Sequence, residues 1–161
     1  GGDITALFSV LVPGSDMEEP VADILRGVLD GHVVLDREIA ERGRYPAIDV
    51  LRSVSRSLPD CATPEEKAQI ALARRRLAAH DQAQLMVQSG LYAAGSDPEI
   101  DAAVAAWPAL DALMAEPSGG SIEAAFDKLA SCLGKRRRAM APRSRNGAGF
   151  GKDSVDGAPV P

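Results

Sequence analysis

The residues most capable of chemistry lie between Leu29 and Arg56. Tyr45 precedes Pro46, and a residue before proline is restricted to extended backbone, so its ring is held on a stiff segment where a purine could stack. Arg56 follows Ser-Val-Ser, whose small side chains leave its guanidinium room to extend beyond its own domain. An arginine from a neighbouring subunit can stabilise charge on a transferring phosphoryl group. Taken alone, an aromatic fixed by Pro46 and a surface ion pair are the simpler interpretations.

Nothing in the sequence indicates a self-contained catalytic site. The sequence contains no phosphate loop of the G-x-x-x-x-G-K-[ST] type. Gly147–Lys152 resembles one only in part, because Asp153 stands where Ser or Thr is required and no strand precedes the segment. His32 and His80 are isolated, so no metal site is predicted. Cys61 and Cys132 are far apart, which favours free thiols in a reducing compartment.

The segment Ile4–Val12 is a nearly continuous apolar and β-branched run that ends at Pro13-Gly14. Such a run predicts a strand buried on both faces, as in a parallel sheet covered by helices. The chain offers few partners for it, the best being the short run Val33–Leu35. We therefore expect the chain to be part of a larger protein whose remaining strands precede Gly1.

Helix signals recur between these runs. Pro20 suits a first helical turn, and the helix that follows is predicted to stop near Gly31. Asp36 is placed to cap a short helix through Glu41, which Gly43 would end. Together these features predict an α/β part over residues 1–60.

From residue 61 to 134 the pattern is all-helical. The sequence Thr63-Pro64-Glu65-Glu66 is a capping box, and its helix should run to about Ser89. The further predicted helices begin at Asp97 and end at Trp107-Pro108, span Leu110–Met114, and run from Ser121 to Gly134. On the long helix we predict an apolar side at Ile70, Leu77 and Leu85 and a solvated side at Arg74-Arg75-Arg76. His32 is predicted to make a structural hydrogen bond between strand and helix.

Charge divides the chain differently. Residues 1–134 carry 11 basic and 21 acidic side chains, whereas residues 135–161 carry seven and two. The final segment is rich in Gly, Pro, Ser and Arg, and we predict that it is disordered. Its run Lys135–Arg138 is either a plain soluble tail or a contact for anionic lipid or acidic partners. Nucleic-acid binding is not predicted, because the body is acidic and no aromatic interleaves the basic run.

Several motifs, taken in order, resemble one known family. They are GDITALFSVLV from Gly2, LDGHVVL from Leu29, YPAIDV from Tyr45, SVSR from Ser53, and GLY from Gly90 with GSDPEID from Gly95. The set resembles the C-terminal part of the rotary-type hexameric ATPases, and within them the export ATPase of flagella and type III secretion systems. Asp-Gly-His and Gly-Ser-Asp-Pro favour that export ATPase over the ATP synthase β subunit.

The resemblance implies a fold and a set of roles. Residues 1–60 would be the C-terminal edge of a RecA-like nucleotide-binding domain, and 61–134 an all-α C-terminal bundle. Tyr45 would pack against adenine, and Arg56 would be the arginine finger that acts in trans between subunits. Tyr92 could lie near the adenine, with core packing as the alternative. The family's phosphate loop, magnesium-binding acid and catalytic Glu would all precede Gly1, so Mg-ATP would be the cofactor of the full-length enzyme and this chain alone would be inactive.

The resemblance also implies partners and location. The full-length protein would be a cytoplasmic homohexamer, peripheral at the inner-membrane export apparatus, that engages apparatus proteins, export substrates and chaperones while it energises flagellar protein export. Two alternatives remain open at this point. One is the equivalent ATPase of an injectisome, and the other is a non-catalytic helical interaction module.

Overall fold

A computed structural model describes residues 2, 4–12, 20–117 and 120–134. Its elements are α1 (Pro20–Val28), β1 (Gly31–Leu35), α2 (Arg37–Glu41), β2 (Ile48–Ser55), α3 (Leu58–Cys61), α4 (Pro64–Gln88), α5 (Pro98–Ala115) and α6 (Ile122–Cys132). The predicted order of an α/β part followed by helices is confirmed. The segment 135–161, predicted to be a disordered tail, lies outside the described residues. Over the described part of the chain, no helix has both the length and the hydrophobicity needed to cross a bilayer.

The segment Ile4–Val12 is not a buried strand in this chain. It has no assigned helix or strand, and the side chains of Ile4 and Leu11 are 95% and 96% exposed. A strand requires a neighbour for its backbone hydrogen bonds. The sheet formed by the described residues contains only β1 and β2, which pair with each other. The prediction placed the partner strands before Gly1, so the exposure of this segment leaves its burial in the full-length protein untested.

Strands β1 and β2 are antiparallel and their pairing is interrupted. Gly31 pairs with Ser55 and His32 with Val54, but the next pair joins Val34 to Asp49. One residue of β1 thus faces four residues of β2, which form a large bulge over positions 50–53. Val34 is buried while its two neighbours in β1 are exposed. The run Val33–Leu35, for which the sequence predicts a buried strand or an extended link, is thus a strand buried at one of its three positions. A two-stranded antiparallel sheet covered on one face buries only alternate side chains.

The capping residues set most helix starts as predicted. The Asp36 side chain accepts hydrogen bonds from the backbone N–H groups of Glu38 (2.8 Å) and Ile39 (3.3 Å), which begins α2. At α4, the Glu66 N–H donates to Thr63 Oγ1 (3.3 Å) and the Thr63 N–H donates to Glu66 Oε2 (2.9 Å). This reciprocal pair completes the capping box, and it buries Glu66 to 1% exposure.

Helix α5 continues through Pro108, where the sequence predicted an end. Proline removes one intrahelical hydrogen bond and usually kinks or stops a helix. Here the residues before and after the proline pack against α4 and keep the helix continuous. Trp107 stacks on His80, and Leu110 is 3% exposed in the core. The two predicted helices on either side of Pro108 are therefore one helix.

The core lies where α4, α5 and β2 meet. Ala73, Leu77 and Leu110 are its buried centre, and Val50 and Leu51 of the β2 bulge pack against them. Leu77 faces this core as predicted, but Leu85 is 77% exposed, so its predicted place on the apolar side is wrong. The β2 bulge thus packs directly against helices α4 and α5.

Candidate functional site

Tyr45 lies in the connection between α2 and β2 with its side chain open to solvent. The residue is 65% exposed, so the ring face is accessible to a planar ligand. The preceding residue is anchored. Arg44 Nε lies 3.2 Å from Asp111 Oδ1 and its Nη2 donates to the carbonyl of Ile48 (3.1 Å), with the Arg44 side chain only 11% exposed. Tyr45 therefore presents an exposed ring next to an anchored residue.

Arg56 immediately follows β2 and contacts the end of α1. Its backbone N–H donates to the carbonyl of Asp30 (2.8 Å). Its Nη1 and Nη2 donate to the carbonyls of Gly27 (3.2 Å) and Arg26 (3.0 Å). The last carbonyls of a helix lack intrahelical partners and carry partial negative charge, which suits a guanidinium. Within this chain, α1 thus holds an Arg56 side chain that remains exposed.

Tyr92 is tied into the loop between α4 and α5. Its hydroxyl lies 2.9 Å from Asp101 Oδ1 and 3.1 Å from the carbonyl of Asp97. Desolvation and the hydrogen bond to the Asp101 carboxylate raise the pKa of Tyr92. The Asp101 carboxylate also accepts the backbone N–H of Gly95 (3.0 Å). These bonds favour a structural role for the hydroxyl and leave the predicted adenine role untested.

A side-chain network that the sequence did not reveal holds the β2 bulge. Asp49 Oδ1 accepts the backbone N–H groups of Leu51 (2.9 Å) and Arg52 (3.0 Å). Ser53 Oγ donates to the carbonyl of Asp49 (2.5 Å) and accepts the N–H of Val34 (3.0 Å). The hydroxyl of Ser53 therefore replaces a ladder partner that the bulge has displaced.

Arg74 of α4 supplies donors to most of the bulge carbonyls. Its Nη1 donates to the carbonyls of Val50 (2.7 Å) and Ser53 (3.3 Å), and its Nη2 donates to that of Leu51 (2.8 Å). The prediction that Arg74 lies on a solvated side is wrong. Its spacing was the available signal, because residues three and four apart share a helix face and Arg74 falls between Ile70 and Leu77.

His32 completes the network but not as predicted. Its Nε2 lies 3.1 Å from the carbonyl of Arg52, the one bulge carbonyl that Arg74 does not contact. The bond thus joins two strands, whereas the sequence predicted a strand-to-helix bond. Every carbonyl of the bulge consequently has a side-chain partner from another element.

A cavity of about 590 Å³ opens beside this network, between the β1–β2 sheet with its connecting helix α2 and the helices α4 and α5. His80 and Trp107 line it, stacked with their ring centroids 4.0 Å apart and their planes 2° apart. Desolvation lowers the pKa of His80, and Arg42 lowers it further, while Asp81 and Asp111 act in the opposite direction. The folded chain therefore favours the neutral imidazole.

We expect the free energy of unfolding of this chain to decrease as the pH falls below about 6.5, the ordinary pKa of histidine. Between that value and the lowered folded pKa of His80, the unfolded chain binds more protons, so acid favours unfolding. His80→Phe keeps a flat ring against Trp107 but cannot titrate. Urea unfolding followed by the fluorescence of Trp107, the single tryptophan, would measure both proteins between pH 5 and 7.5.

Carboxylates that do not interact with His80 contribute equally to both proteins, so the difference between the two curves reports the imidazole together with its coupling to Asp81 and Asp111. The wild-type chain should lose more stability than His80→Phe on acidification. If the free energy of unfolding falls equally with pH in both proteins, the pKa of His80 is not lowered by folding.

Among residues 2, 4–12, 20–117 and 120–134, no cluster of three or more His, Cys, Asp or Glu side chains could hold a metal ion. Tyr45 and Arg56, the two residues that the family resemblance predicts to face a nucleotide, lie before and after β2.

Two family profiles match the chain. Residues 1–55 match the nucleotide-binding domain of the ATP synthase alpha/beta family, and residues 62–129 match the T3SS EscN ATPase C-terminal domain. Together these matches cover most of the chain.

Curated relatives agree with the profiles. The flagellum-specific ATP synthase of Caulobacter vibrioides is 44% identical over 132 residues, which is 81% of this chain and 30% of the relative. The SPI-2 type 3 secretion system ATPase of Salmonella typhimurium is 47% identical over 107 residues, which is 66% of this chain and 25% of the relative. The chain thus spans about a third or less of the length of these relatives.

Comparison with solved structures agrees with the sequence relatives. The assembled ATPase EscN from the type III secretion system of enteropathogenic E. coli superimposes with a TM-score of 0.74 and 30% identity, over 77% of this chain and 31% of that one. EscN in complex with its central stalk EscO superimposes with a TM-score of 0.66 and 31% identity, over 71% and 29% of the two chains. The chain therefore belongs to the family of flagellum-specific and type III secretion ATPases, and corresponds to the C-terminal part of its members.

Proposed function

We propose that the full-length protein hydrolyses ATP to energise flagellar protein export. The observation that carries this proposal is the 44% identity to a flagellum-specific ATP synthase over 132 residues. Type III secretion ATPases are similarly identical and match 64–70% of the chain, and other flagellar relatives match 65–71%, so the flagellar assignment is favoured by the 81% match to the Caulobacter vibrioides protein. An injectisome ATPase is therefore the second candidate.

In this proposal Mg-ATP binds between subunits, and the chain contributes two contacts. The exposed ring of Tyr45 stacks on the adenine, and Tyr92 is a second candidate near the base. Arg56 reaches the phosphates held by the neighbouring subunit and stabilises the charge that develops during transfer. Both side chains are exposed, and the Arg56 guanidinium, which donates to the carbonyls of Gly27 and Arg26 in this chain, would donate to phosphate oxygens in the assembly. The bound magnesium would neutralise phosphate charge, through ligands outside this chain.

The proposal includes an assembly and a division of labour. The full-length protein works as a cytoplasmic homohexamer, peripheral at the inner-membrane export apparatus. Residues 1–60 serve nucleotide binding, while 61–134 engage other proteins. Support comes from the family matches to 1–55 and 62–129, and from the two EscN structures, one of the assembled ATPase and one of its complex with a central stalk. Export substrates and chaperones are proposed as further partners of the helical part.

Replacing Tyr45 tests the function and the adenine contact together. In the full-length protein we expect Tyr45→Ala to raise the KM for ATP about ten-fold or more, because stacking between a base and an aromatic ring contributes about 1–3 kcal/mol. Tyr45→Phe keeps the ring and should leave the KM near the wild-type value. Both are measured by steady-state hydrolysis, and each variant is tested for restoring flagellar filaments to a strain that lacks the gene.

The outcomes separate the parts of the proposal. A full-length protein that hydrolyses no ATP would reject the enzyme and favour a non-catalytic helical module. Hydrolysis with an unchanged KM in Tyr45→Ala would reject only the adenine contact. A gene whose loss leaves filaments intact but abolishes secretion through an injectisome would favour the second candidate.

A further inference from the structure

The β2 bulge separates the two nucleotide-facing candidates along the chain. It occupies positions 50–53, after Tyr45 and just before Arg56. Bulges bend a strand and change the direction of the side chains that follow, and they are common beside active sites. The shape of this bulge therefore determines where Arg56 lies relative to Tyr45.

The carbonyls of the bulge depend on α4. In an ordinary antiparallel ladder every second carbonyl would bond to the partner strand, but β1 has only Val33 opposite the four residues. Three of them instead accept hydrogen bonds from one guanidinium, that of Arg74, at 2.7 to 3.3 Å. Partly buried carbonyls are costly to leave without a donor. The conformation of the bulge is therefore coupled to the position of α4.

Arg74 is itself firmly placed. It is half-buried, and its neighbour Ala73 and Leu77 one turn later belong to the buried core. The planar fork of an arginine can serve several acceptors in fixed directions, which a lysine cannot do. A displacement of α4 consequently changes the donors that the bulge receives.

We propose that Arg74 is a positioning residue for Arg56, and that it couples the helical unit 61–134 to the phosphoryl-transfer site of a neighbouring subunit. The inference rests on the proposed function, in which Arg56 acts in trans. Arg74 touches neither nucleotide nor phosphate; it acts by holding the bulge that precedes Arg56.

Substitution of Arg74 by lysine tests this in the full-length protein. Arg74→Lys keeps the charge and much of the stem but cannot bond three carbonyls in the same geometry. We expect kcat to fall about 10- to 100-fold, since a misplacement of about 1 Å at a reacting centre can have that effect, while the KM for ATP stays within about two-fold. The matched control is Arg75→Lys on the same helix, where the arginine is 63% exposed in its pair with Glu99 and no loss is expected.

A double-mutant cycle separates positioning from general damage. If Arg74 acts through Arg56, then Arg74→Lys added to Arg56→Ala should cause no further loss of kcat. Losses that multiply, or an Arg74→Lys protein as fast as wild type, would overturn the proposal. If Arg56→Ala is itself as fast as wild type, the finger role fails, and the coupling to catalysis fails with it.

Amide hydrogen exchange on the 161-residue chain examines the structural link without any catalysis. Arg74→Lys should speed exchange at the amides of Leu51 and Arg52 at least several-fold, with α4 itself retained by circular dichroism. Arg75→Lys should leave these amides unchanged. Equal exchange in both variants would show that Arg74 does not hold the bulge, and would overturn the proposal whatever the activity data show.

Discussion

Replacing Arg56 by alanine in the full-length protein should lower ATP turnover about a thousand-fold or more, the range observed when a trans-acting arginine is removed from phosphoryl-transfer enzymes. The guanidinium lies at the end of β2 and is exposed and charged. Its present acceptors are two backbone carbonyls at the end of α1, those of Arg26 and Gly27. A phosphate oxygen carries more negative charge than a carbonyl and is the stronger acceptor.

The measurement is steady-state hydrolysis, with nucleotide binding followed separately. Binding should survive in Arg56→Ala, because in the proposed function the residue serves the site of a neighbour and not its own. Arg37→Ala is the matched control, since Arg37 is an exposed arginine whose side chain pairs with Glu41 on the same helix. Unchanged turnover in Arg56→Ala would remove the finger role.

Action in trans has a distinct signature in mixed assemblies. Subunits with Arg56→Ala retain an intact nucleotide pocket, and subunits disabled at the phosphate-binding loop retain Arg56. Mixing these two inactive proteins should restore part of the turnover at the interfaces that combine both intact halves. Mixtures as inactive as the separate proteins would place Arg56 in the site of its own subunit.

The helix starts that sequence could predict are those fixed by local chemistry. A capping side chain contacts N–H groups two or three residues ahead, so Asp36, Thr63 and Ser121 identified their helices without knowledge of the fold. At two places the predicted secondary structure differs from that of the described residues, and both differences have nonlocal causes. Ile4–Val12 has strand propensity but no described partner, and Pro108 breaks a local rule that the packing of α4 against α5 overrides.

The same distinction between local and nonlocal interactions applies to the candidate site. Tyr45 and Arg56 were predicted from short motifs, because Pro46 restricts the backbone of Tyr45 and the small serines leave Arg56 room to extend. The bulge was not found, since Arg74 lies more than twenty positions from the carbonyls that it binds. Three consecutive arginines indicate a solvated surface by composition, and only helical spacing relative to Ile70 and Leu77 distinguishes Arg74 from Arg75.

The packing that carries Arg74 can be tested by opening a cavity beside it. Leu110→Ala should lower the free energy of unfolding by about 3 kcal/mol, within the usual range of about 2–5 kcal/mol for such a truncation in a core. Leu110 is 3% exposed and packs with Ala73 and Leu77, so its loss leaves a void that the α4–α5 contact can only partly close. Since domains are stable by only about 5–15 kcal/mol, this is a large share of the total.

Urea unfolding of the 161-residue chain, followed by Trp107 fluorescence, measures that loss. The matched control is Leu85→Ala on α4, whose leucine is 77% exposed and should change stability by less than about 0.5 kcal/mol. Because Val50 and Leu51 of the bulge pack on the same core, Leu110→Ala should also speed amide exchange at Leu51. If Leu110→Ala is no less stable than Leu85→Ala, the helices do not form the core on which the positioning of the bulge depends.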